Sequence, residues 1–189
     1  MNKPVTGLYI GRFQPLTLGH VRVIDTMLYE CENLIIVIGS TQEMGTERNP
    51  FNFSTRKQMI KNVYTPKPFE VVNKWEKIKV IGLCDIFNPS AWAKYVLDDI
   101  DLKIEEGEIK FPKPDTYYCG SYLDGHFFQN TGLNIRVIDR TDIKFPLVTS
   151  SMVRQMCRYQ DKRWKEYVPE QIWEDVQYLV DKYNKFSGI

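Results

Sequence analysis

Residues 5–28 read VTGLYIGRFQPLTLGHVRVIDTML and contain, in order, an apolar run, a turn and an apolar-periodic run. The first run, residues 5–10, is typical of a buried strand, and the last, residues 21–28, is typical of a helix. The turn between them contains glycine and proline and carries Arg12 and His20. Backbone N–H groups at a helix N-terminus and the helix dipole both favour phosphate. The segment therefore predicts a strand–turn–helix unit that holds the phosphate chain of a nucleotide.

The remainder of the chain repeats this alternation of strands and helices. Further strands are predicted over residues 33–39, 77–83, 116–119 and 134–138, and helices over residues 20–30, 55–64, 91–99, 152–159 and from Pro169 onward. Ser54 is a suitable N-cap for the second helix, and Pro89-Ser90 opens the third, with Ser90 near the cap. The charged residues 98–113 are typical of an exposed connection.

The alternation predicts an α/β fold, a Rossmann-like doubly wound and mostly parallel five-stranded sheet with helices on both faces and C-terminal helices. A length of 189 residues fits a single domain, 1–189, in which about 160–189 form a C-terminal helical extension. Ligands of such sheets bind beyond the carboxyl ends of the strands. Neither the dinucleotide motif G-x-G-x-x-G nor a Walker P-loop is present in the sequence.

Composition excludes several classes of function. The formal net charge is +1, which gives no bulk attraction to nucleic acid or to an anionic membrane. No apolar stretch approaches the ~20 residues of a membrane span, and the short strand that follows residues 1–4 is too short and too polar-flanked for a signal peptide. Four widely spaced cysteines without a C-x-x-C pair favour free thiols over disulfides or a zinc site. We expect a cytoplasmic protein without nucleic-acid or membrane partners.

Two polar clusters follow predicted strands and could carry chemistry. In the first, Thr17-x-Gly19-His20, the hydroxyl and the imidazole can donate hydrogen bonds to phosphate oxygens that gain charge in a transition state. Gly19 allows a close approach of the backbone. The alternative is that Thr17 only caps the helix and that His20 is an ordinary residue of its first turn.

The second cluster is Thr149-Ser150-Ser151, followed one helical turn later by Arg154. Three hydroxyls at a helix N-terminus could bind an anion, and Ser151 and Arg154 share a helix face because they are three positions apart. The alternative is a capped helix with a solvent-facing arginine.

Together these clusters resemble the nucleotidylyltransferases, in which an H/T-x-G-H motif comes early and an I-S-S-T-x-x-R motif comes late. Within that superfamily the chain is most similar to the archaeal-type nicotinamide-nucleotide adenylyltransferases. The resemblance extends over roughly residues 5–160. Four blocks precede the late motif in matching order: Gly11-Arg12-Phe13-Gln14-Pro15 before T-x-G-H; Ile38-Gly39-Ser40-x-Gln42-Glu43; Asn49-Pro50-Phe51 with Arg56; and Asp85-x-x-Asn88-x-x-x-Trp92.

The resemblance implies an enzyme that makes NAD and pyrophosphate from ATP and nicotinamide mononucleotide (NMN), by in-line attack on the α-phosphate and without a covalent enzyme intermediate. It implies four catalytic residues: His20 and Thr17 on the α- and β-phosphates, and Arg12 and Arg154 on the leaving pyrophosphate. The ATP site would also include Gly11, Phe13, Gly19, Arg48, Thr149, Ser150 and Ser151. Mg²⁺ would be bound by the ATP phosphates without dedicated protein ligands, and a homo-oligomer is expected.

The implied NMN site comprises Asp85, Asn88, Trp92, Ser40 and Gln42. The Trp92 ring could stack on the cationic nicotinamide, and Asn88 could bind its carboxamide; core packing is the alternative for Trp92.

One departure from the archaeal pattern leaves the acceptor open. Archaeal-type members usually have histidine where this chain has Thr17, whereas pantetheine-phosphate enzymes have threonine there. Nicotinate mononucleotide and phosphopantetheine therefore remain alternative acceptors, and a non-catalytic nucleotide sensor remains an alternative function. His126 could contact adenine or ribose or lie on the surface. The C-terminal helix could pack on the domain or form a subunit contact.

Overall fold

Five parallel strands form one sheet in the order β3-β2-β1-β4-β5. A computed structural model describes residues 5–138 and 148–187, with side chains described as far as residue 184. The strands are β1 (Thr6–Gly11), β2 (Asn33–Ile38), β3 (Ile78–Gly82), β4 (Thr116–Cys119) and β5 (Asn134–Val137). The helices are α1 (Leu18–Glu30), α2 (Phe53–Tyr64), α3 (Pro89–Glu105), α4 (Tyr122–His126), α5 (Ser150–Arg158) and α6 (Trp173–Ser187), and short 3₁₀ turns cover Lys74–Lys77, Lys162–Glu166 and Glu170–Ile172.

Both faces of the sheet are buried. Alternate residues of β2 enter two separate hydrophobic clusters, Ile36 and Ile38 on one face and Ile35 and Val37 on the other. Helices α1, α2, α5 and α6 cover the first face, and α3 covers the second. This two-sided burial explains the continuous apolar run of β2, and it confirms the predicted doubly wound, Rossmann-like fold.

The C-terminal helix packs on the same core. Ile172, Val176, Leu179 and Val180 are all buried in the cluster that covers the α1 face of the sheet. Trp164, which precedes them, is also buried. The amphipathic face that the sequence predicted therefore covers the domain itself. Regular α-helix begins at Trp173, after a 3₁₀ turn, rather than at Pro169.

The predicted cap of α2, Ser54, was wrong, and the cap of α3 lies two residues before Ser90. Helix α2 begins at Phe53 and is capped by Asn52, whose Oδ1 accepts a hydrogen bond from the Thr55 amide at 2.8 Å. Helix α3 is capped by Asn88 rather than by Ser90. Asparagine and serine are comparable as caps, so the choice depends on where the preceding loop delivers the chain.

Helix boundaries also differ from the prediction. Helix α1 begins two residues before the predicted His20, and α3 extends to Glu105, through part of the predicted connection 98–113. Ile100 is fully buried, but it stands among aspartates in the sequence, and these charged residues concealed the helix. Residues 139–147, which separate β5 from the predicted cluster Thr149-Ser150-Ser151, lie outside the described residues.

Two further observations concern membrane spans and cysteines. Within residues 5–138 and 148–187, no helix is both long and apolar enough to cross a membrane. None of the four cysteines forms a disulfide; Cys31, Cys119 and Cys157 are buried and Cys84 is exposed.

Candidate active site

Buried side chains hold the turn between β1 and α1 in place. Gln14 binds the backbone of Phe51 twice: its Nε2 donates to the carbonyl at 2.7 Å and its Oε1 accepts from the amide at 2.9 Å. The Phe13 ring is buried and lies 4.9 Å from the His20 ring between centroids. A Cβ on Gly11 would come within 2.9 Å of that ring. Gly11 and Phe13, two predicted ATP-site residues, therefore shape the turn.

Thr17 and His20 contact each other at the start of α1. His20 Nδ1 lies 3.0 Å from the Thr17 amide nitrogen and 2.9 Å from the Thr17 hydroxyl oxygen. An amide can only donate, so Nδ1 is an acceptor, and the neutral imidazole carries its proton on Nε2. Thr17 thus fixes the tautomer in which His20 can donate a hydrogen bond to a phosphate oxygen.

Two backbone N–H groups at the start of α1 already have hydrogen-bond partners within the protein. The Leu18 amide donates to the Tyr167 carbonyl at 2.9 Å, and the His20 amide donates to the Thr17 carbonyl at 2.9 Å. These two N–H groups are already paired within the protein, so they are not available to a phosphate. Arginine and histidine side chains are then the main donors.

The two sequence clusters meet in the fold. Arg154 Nη1 donates to the Gln14 carbonyl at 2.8 Å, and the Ser150 hydroxyl donates to the Pro15 carbonyl at 2.9 Å. Helix α5 is therefore docked on the β1–α1 turn, although the residues lie 140 and 135 positions apart in sequence.

The three hydroxyls of the second cluster have different roles in the structure. The Thr149 hydroxyl accepts from the Met152 amide at 3.2 Å and caps α5, and the Ser150 hydroxyl is bound to the turn. The Ser151 hydroxyl accepts from Arg154 Nη2 at 3.0 Å and lines a cavity. Ser151 and Arg154 are therefore the members of the cluster that face open space, whereas Thr149 and Ser150 hold the helix in place.

Three arginines form a cationic group around the turn. Burial, and then the charge of Arg48, lower the pKa of Arg12. Burial, followed by the charges of Arg12 and Arg48, lowers the pKa of Arg154. Arg12 Nη1 is buried and has no hydrogen-bond partner among the residues that the structure describes. Cations that repel one another around an unsatisfied donor favour the binding of a polyanion.

A cavity of about 570 Å³ opens at the carboxyl ends of β1, β2 and β3. It brings together Arg12 and Arg48 with four residues of the predicted mononucleotide site, and it is lined by Ile10, Gly11, Arg12, Gly39, Ser40, Arg48, Asp85, Phe87, Asn88, Pro89, Trp92 and Phe127. We call it the acceptor cavity. Its position follows the rule for doubly wound sheets.

Trp92 and Asn88 face the acceptor cavity from the start of α3. Trp92 lines the cavity and also packs against the core cluster of α3, with its ring 5.9 Å from that of Tyr95. Asn88 Oδ1 accepts from the Ala91 amide and from the Ser90 hydroxyl. The Oδ1 is thereby used in capping, and Nδ2 is the group that can donate to a ligand carbonyl.

Asp85 connects the loops that follow β2 and β3. Its Oδ2 lies 3.5 Å from the Ser40 hydroxyl, and its backbone amide donates to Gln42 Oε1 at 3.0 Å. Gln42 is absent from the lining of the acceptor cavity. The structure therefore places Gln42 as a support for Asp85, whereas Ser40 and Asp85 line the cavity directly.

Sequence reasoning assigned no role to Arg56, which is fully buried in α2. Its guanidinium donates to the carbonyls of Arg12 at 2.9 Å, Gly39 at 2.8 Å and Ser40 at 3.4 Å. Burial, with the nearby charge of Arg12, lowers the pKa of Arg56 to about 10. One side chain thus joins the ends of β1 and β2. An arginine on the inward face of an amphipathic helix was the available signal.

Three further residues were either missed by the sequence analysis or left open by it. Phe87 and Phe127 line the acceptor cavity and were not predicted. His126 is exposed on α4, with Nδ1 3.0 Å from Gln129 Oε1, and lies outside that lining. Among residues 5–138 and 148–187, no group of three His, Cys, Asp or Glu side chains could hold a metal ion.

Comparison with known proteins agrees with this arrangement. The model of the cytidylyltransferase-like family matches residues 8–182. The nicotinamide-nucleotide adenylyltransferase of Thermococcus sibiricus is 32% identical over 173 residues, which cover 90% of this chain and 82% of that protein. The enzyme of the same name from Saccharolobus solfataricus is 29% identical over 89% of this chain and 87% of its own.

A solved structure shares the fold. The bifunctional NMN adenylyltransferase/ADP ribose pyrophosphatase from Francisella tularensis, complexed with AMP and a manganese ion, superposes with a TM-score of 0.69 at 18% identity. The match covers 97% of this chain and 53% of that one, so this chain spans about half the length of the bifunctional protein.

Proposed function

This chain belongs to the cytidylyltransferase-like family, and on that premise we propose that it is a nicotinamide-nucleotide adenylyltransferase. It transfers AMP from ATP to NMN and releases NAD and pyrophosphate. The observation that carries the proposal is the docking of Arg154 on the β1–α1 turn. This contact brings Arg154 to the turn that carries Arg12 and His20, and Arg12 also lines the acceptor cavity. Donors suited to a polyanion thus lie next to an aromatic pocket, which supports the proposal.

The lining of the acceptor cavity supports one orientation for NMN. Its nicotinamide ring is a cation and is attracted to the face of Trp92, and its carboxamide oxygen can accept from Asn88 Nδ2. The phosphate then extends toward Arg12 and Arg48 on the same cavity wall. Asp85, supported by Gln42 and Ser40, holds the loop between these two ends.

The reaction is a single in-line displacement. A phosphate oxygen of NMN forms a bond to the α-phosphorus of ATP while the bond from that phosphorus to the bridging β-oxygen breaks. The electron pair of the broken bond leaves with pyrophosphate. His20 Nε2–H and the guanidiniums of Arg12 and Arg154 stabilise the charge that develops on the phosphate oxygens, and removing one such donor costs about 2.7–4 kcal/mol of barrier.

Mg²⁺ is proposed to enter the site on the triphosphate. The donors around the turn are guanidinium and imidazole N–H groups, which fit phosphate oxygens rather than a metal ion. When bound, Mg²⁺ neutralises part of the negative charge of the phosphates. The manganese ion bound with AMP in the Francisella protein supports a divalent metal. Cytoplasmic location and assembly into a homo-oligomer stay predictions.

An acceptor panel with a matched pair of variants tests the substrate assignment. Wild-type protein is assayed with ATP and Mg²⁺ against NMN, nicotinate mononucleotide and phosphopantetheine, and NMN is expected to give the highest kcat/KM. Trp92→Leu should raise the KM for NMN more than about tenfold with KM for ATP unchanged, since stacking on a cation contributes up to about 2 kcal/mol. Trp92→Phe should retain most of the affinity. A higher kcat/KM for phosphopantetheine than for NMN in the wild-type protein would reject the assignment.

A further inference from the structure

A second cavity, of about 240 Å³, adjoins the acceptor cavity at the carboxyl ends of β1 and β4. Ile10, Trp92 and Phe127 line both cavities, so the two meet at these side chains. We call the smaller one the aromatic pocket, because most of its lining is aromatic: Tyr9, Trp92, Tyr117, Phe127 and Phe128. Apart from Trp92, the function proposed above assigns a role to none of these residues.

Core side chains form the inner wall of the aromatic pocket. Tyr9, Tyr117 and Phe128 are buried, and the rings of Tyr117 and Phe128 lie 4.1 Å apart between centroids. Phe127, by contrast, is 46% exposed. A pocket of this volume with a fixed aromatic wall fits one planar ring or its substituent, and aromatic faces favour a cation. A cationic ring stacked on Trp92 would lie next to this pocket, because Trp92 lines both cavities.

One carboxylate lies in this aromatic lining. Asp124 contributes the single charged side chain of the pocket, as far as the described residues extend. Its Oδ2 accepts a hydrogen bond from the Ser121 hydroxyl at 2.8 Å, and the oxygen of that hydroxyl accepts from the Asp124 amide at 3.2 Å. Burial raises the pKa of Tyr117, and the charges of Cys119 and Asp124 raise it further. The Asp124 carboxylate is therefore close enough to the inner wall to act on a group inside the pocket.

The two cavities differ in charge. Arg12, Arg48 and Asp85 give the acceptor cavity a net positive lining, whereas the lining of the aromatic pocket, among the residues that the structure describes, has Asp124 and no cationic side chain. NMN and nicotinate mononucleotide differ in one substituent of the ring, which is a neutral carboxamide in the first and a carboxylate in the second. A carboxylate beside Asp124 would meet a like charge without a counter-ion, which is unfavourable. A carboxamide N–H can instead donate to Asp124.

We propose that Asp124 selects the amide form of the mononucleotide, by accepting a hydrogen bond from the carboxamide N–H of NMN and by repelling the carboxylate of nicotinate mononucleotide. The proposal rests on the function proposed above and names a specificity-determining residue for it. The ring lies on Trp92, the carboxamide oxygen faces Asn88 Nδ2, and the carboxamide NH₂ group faces Asp124. Asp124 and Phe127 both line the aromatic pocket, and their spacing of three positions puts them on one side of α4.

The acceptor selectivity of an Asp124 variant tests the proposal. Wild-type protein should have a kcat/KM for NMN at least about tenfold higher than that for nicotinate mononucleotide. Asp124→Asn keeps an acceptor oxygen but loses the charge, so kcat/KM for nicotinate mononucleotide should rise about tenfold, and that for NMN should change by less than about threefold. Ser121→Ala removes the hydrogen bond to Asp124 but keeps the charge, and should retain the wild-type ratio. Asp98→Asn, an exposed aspartate of α3 outside both cavities, is the matched control.

An unchanged ratio of the two kcat/KM values in Asp124→Asn would overturn the proposal, as would a wild-type protein without a preference for NMN. An equal change in Ser121→Ala would also overturn it, because the effect would then come from the position of α4. Calorimetric titration with each mononucleotide gives a readout that does not depend on turnover. Protein that binds NMN more tightly than nicotinate mononucleotide, loses this preference in Asp124→Asn and makes no NAD would contradict the proposed function alone. Active protein that keeps the preference in Asp124→Asn would contradict the role of Asp124 alone.

Discussion

Thr17 holds His20 through two atoms, since its amide nitrogen and its hydroxyl oxygen both lie within 3.0 Å of His20 Nδ1. The threonine therefore acts on the histidine as well as capping α1. Both expectations for Thr17, helix cap and member of the phosphate site, are compatible with this geometry. The contact directs the donor nitrogen of His20, and the phosphate contact of Thr17 itself stays a prediction.

Removing the Thr17 hydroxyl tests this positioning role. Thr17→Val keeps the size and shape of the side chain but loses the hydrogen bond, so kcat should fall about fivefold to tenfold, in line with about 1 kcal/mol for one hydrogen bond. Thr17→Ser keeps the hydroxyl and should retain most of the wild-type kcat. Steady-state kinetics with folding checked by circular dichroism measures the effect. Wild-type kcat in Thr17→Val would show that the tautomer needs only the amide.

Replacing His20 should remove transition-state stabilisation. We expect His20→Ala to lower kcat by about 10²–10³-fold, as for the loss of one donor to a developing oxyanion, with a small decrease in the free energy of unfolding because a helix cap is lost. The control is His126→Ala, since His126 is exposed on α4 and outside the acceptor cavity. Turnover near the wild-type rate in His20→Ala would remove His20 from the mechanism.

Arg56 should affect stability and activity together. Arg56→Lys cannot donate to the three carbonyls at the ends of β1 and β2, and each buried acceptor left without a partner costs about 1–3 kcal/mol. The free energy of unfolding should fall by several kcal/mol, and kcat/KM should fall because Arg12 and Ser40 lose their support. Lys57→Gln, on the exposed face of α2, should change stability by less than about 0.5 kcal/mol. Denaturant unfolding measures both variants. Equal unfolding midpoints for Arg56→Lys and Lys57→Gln would contradict this role.

The lowered pKa of Glu30 makes the free energy of unfolding depend on pH. Its carboxylate accepts from Arg136 and from the Tyr118 hydroxyl, and the pKa of Glu30 lies below its ordinary value of 4.5, chiefly because of the Arg136 hydrogen bond. The resulting stabilisation is fully present above pH 4.5 and is lost as the pH falls through the lowered pKa. Glu30→Gln should therefore lower the free energy of unfolding at about pH 7, and much less at about pH 3.

The Glu30 effect should be at most about 1 kcal/mol, because Arg136 is partly exposed and solvent screens the pair. Urea unfolding at both pH values measures it, with Glu32→Gln, an exposed neighbour, as the control. An equal loss at the two pH values would mean that the carboxylate charge is not involved.

Much of the fold could be predicted from the sequence, because strands buried on two faces have continuous apolar runs. Strand β2 was placed to within one residue for this reason. The caps at Asn52 and Asn88 were missed because serine and asparagine stood close together and both are good caps. The end of α3 was missed because its outer face is charged.

The sequence could predict which residues belong to the candidate site, but it could not predict how their side chains are arranged. Arg12, His20 and Arg154 have side chains whose chemistry fits phosphate, and the sequence shows this directly. The pairing of the Leu18 amide with the Tyr167 carbonyl, and the bond from Arg154 to the Gln14 carbonyl, depend on tertiary contacts between distant segments. No local pattern contains that information, which is why the support roles of Arg56 and Gln42 emerged only in the structure.

The most direct test of adenylyl transfer to NMN is the stoichiometry of the products. Purified protein incubated with ATP, Mg²⁺ and NMN should release NAD and pyrophosphate in equal amounts, with formation of both lost when ATP is replaced by an analogue whose bond between the α- and β-phosphates cannot be cleaved. Folded protein that forms no NAD above the enzyme-free control would contradict the account.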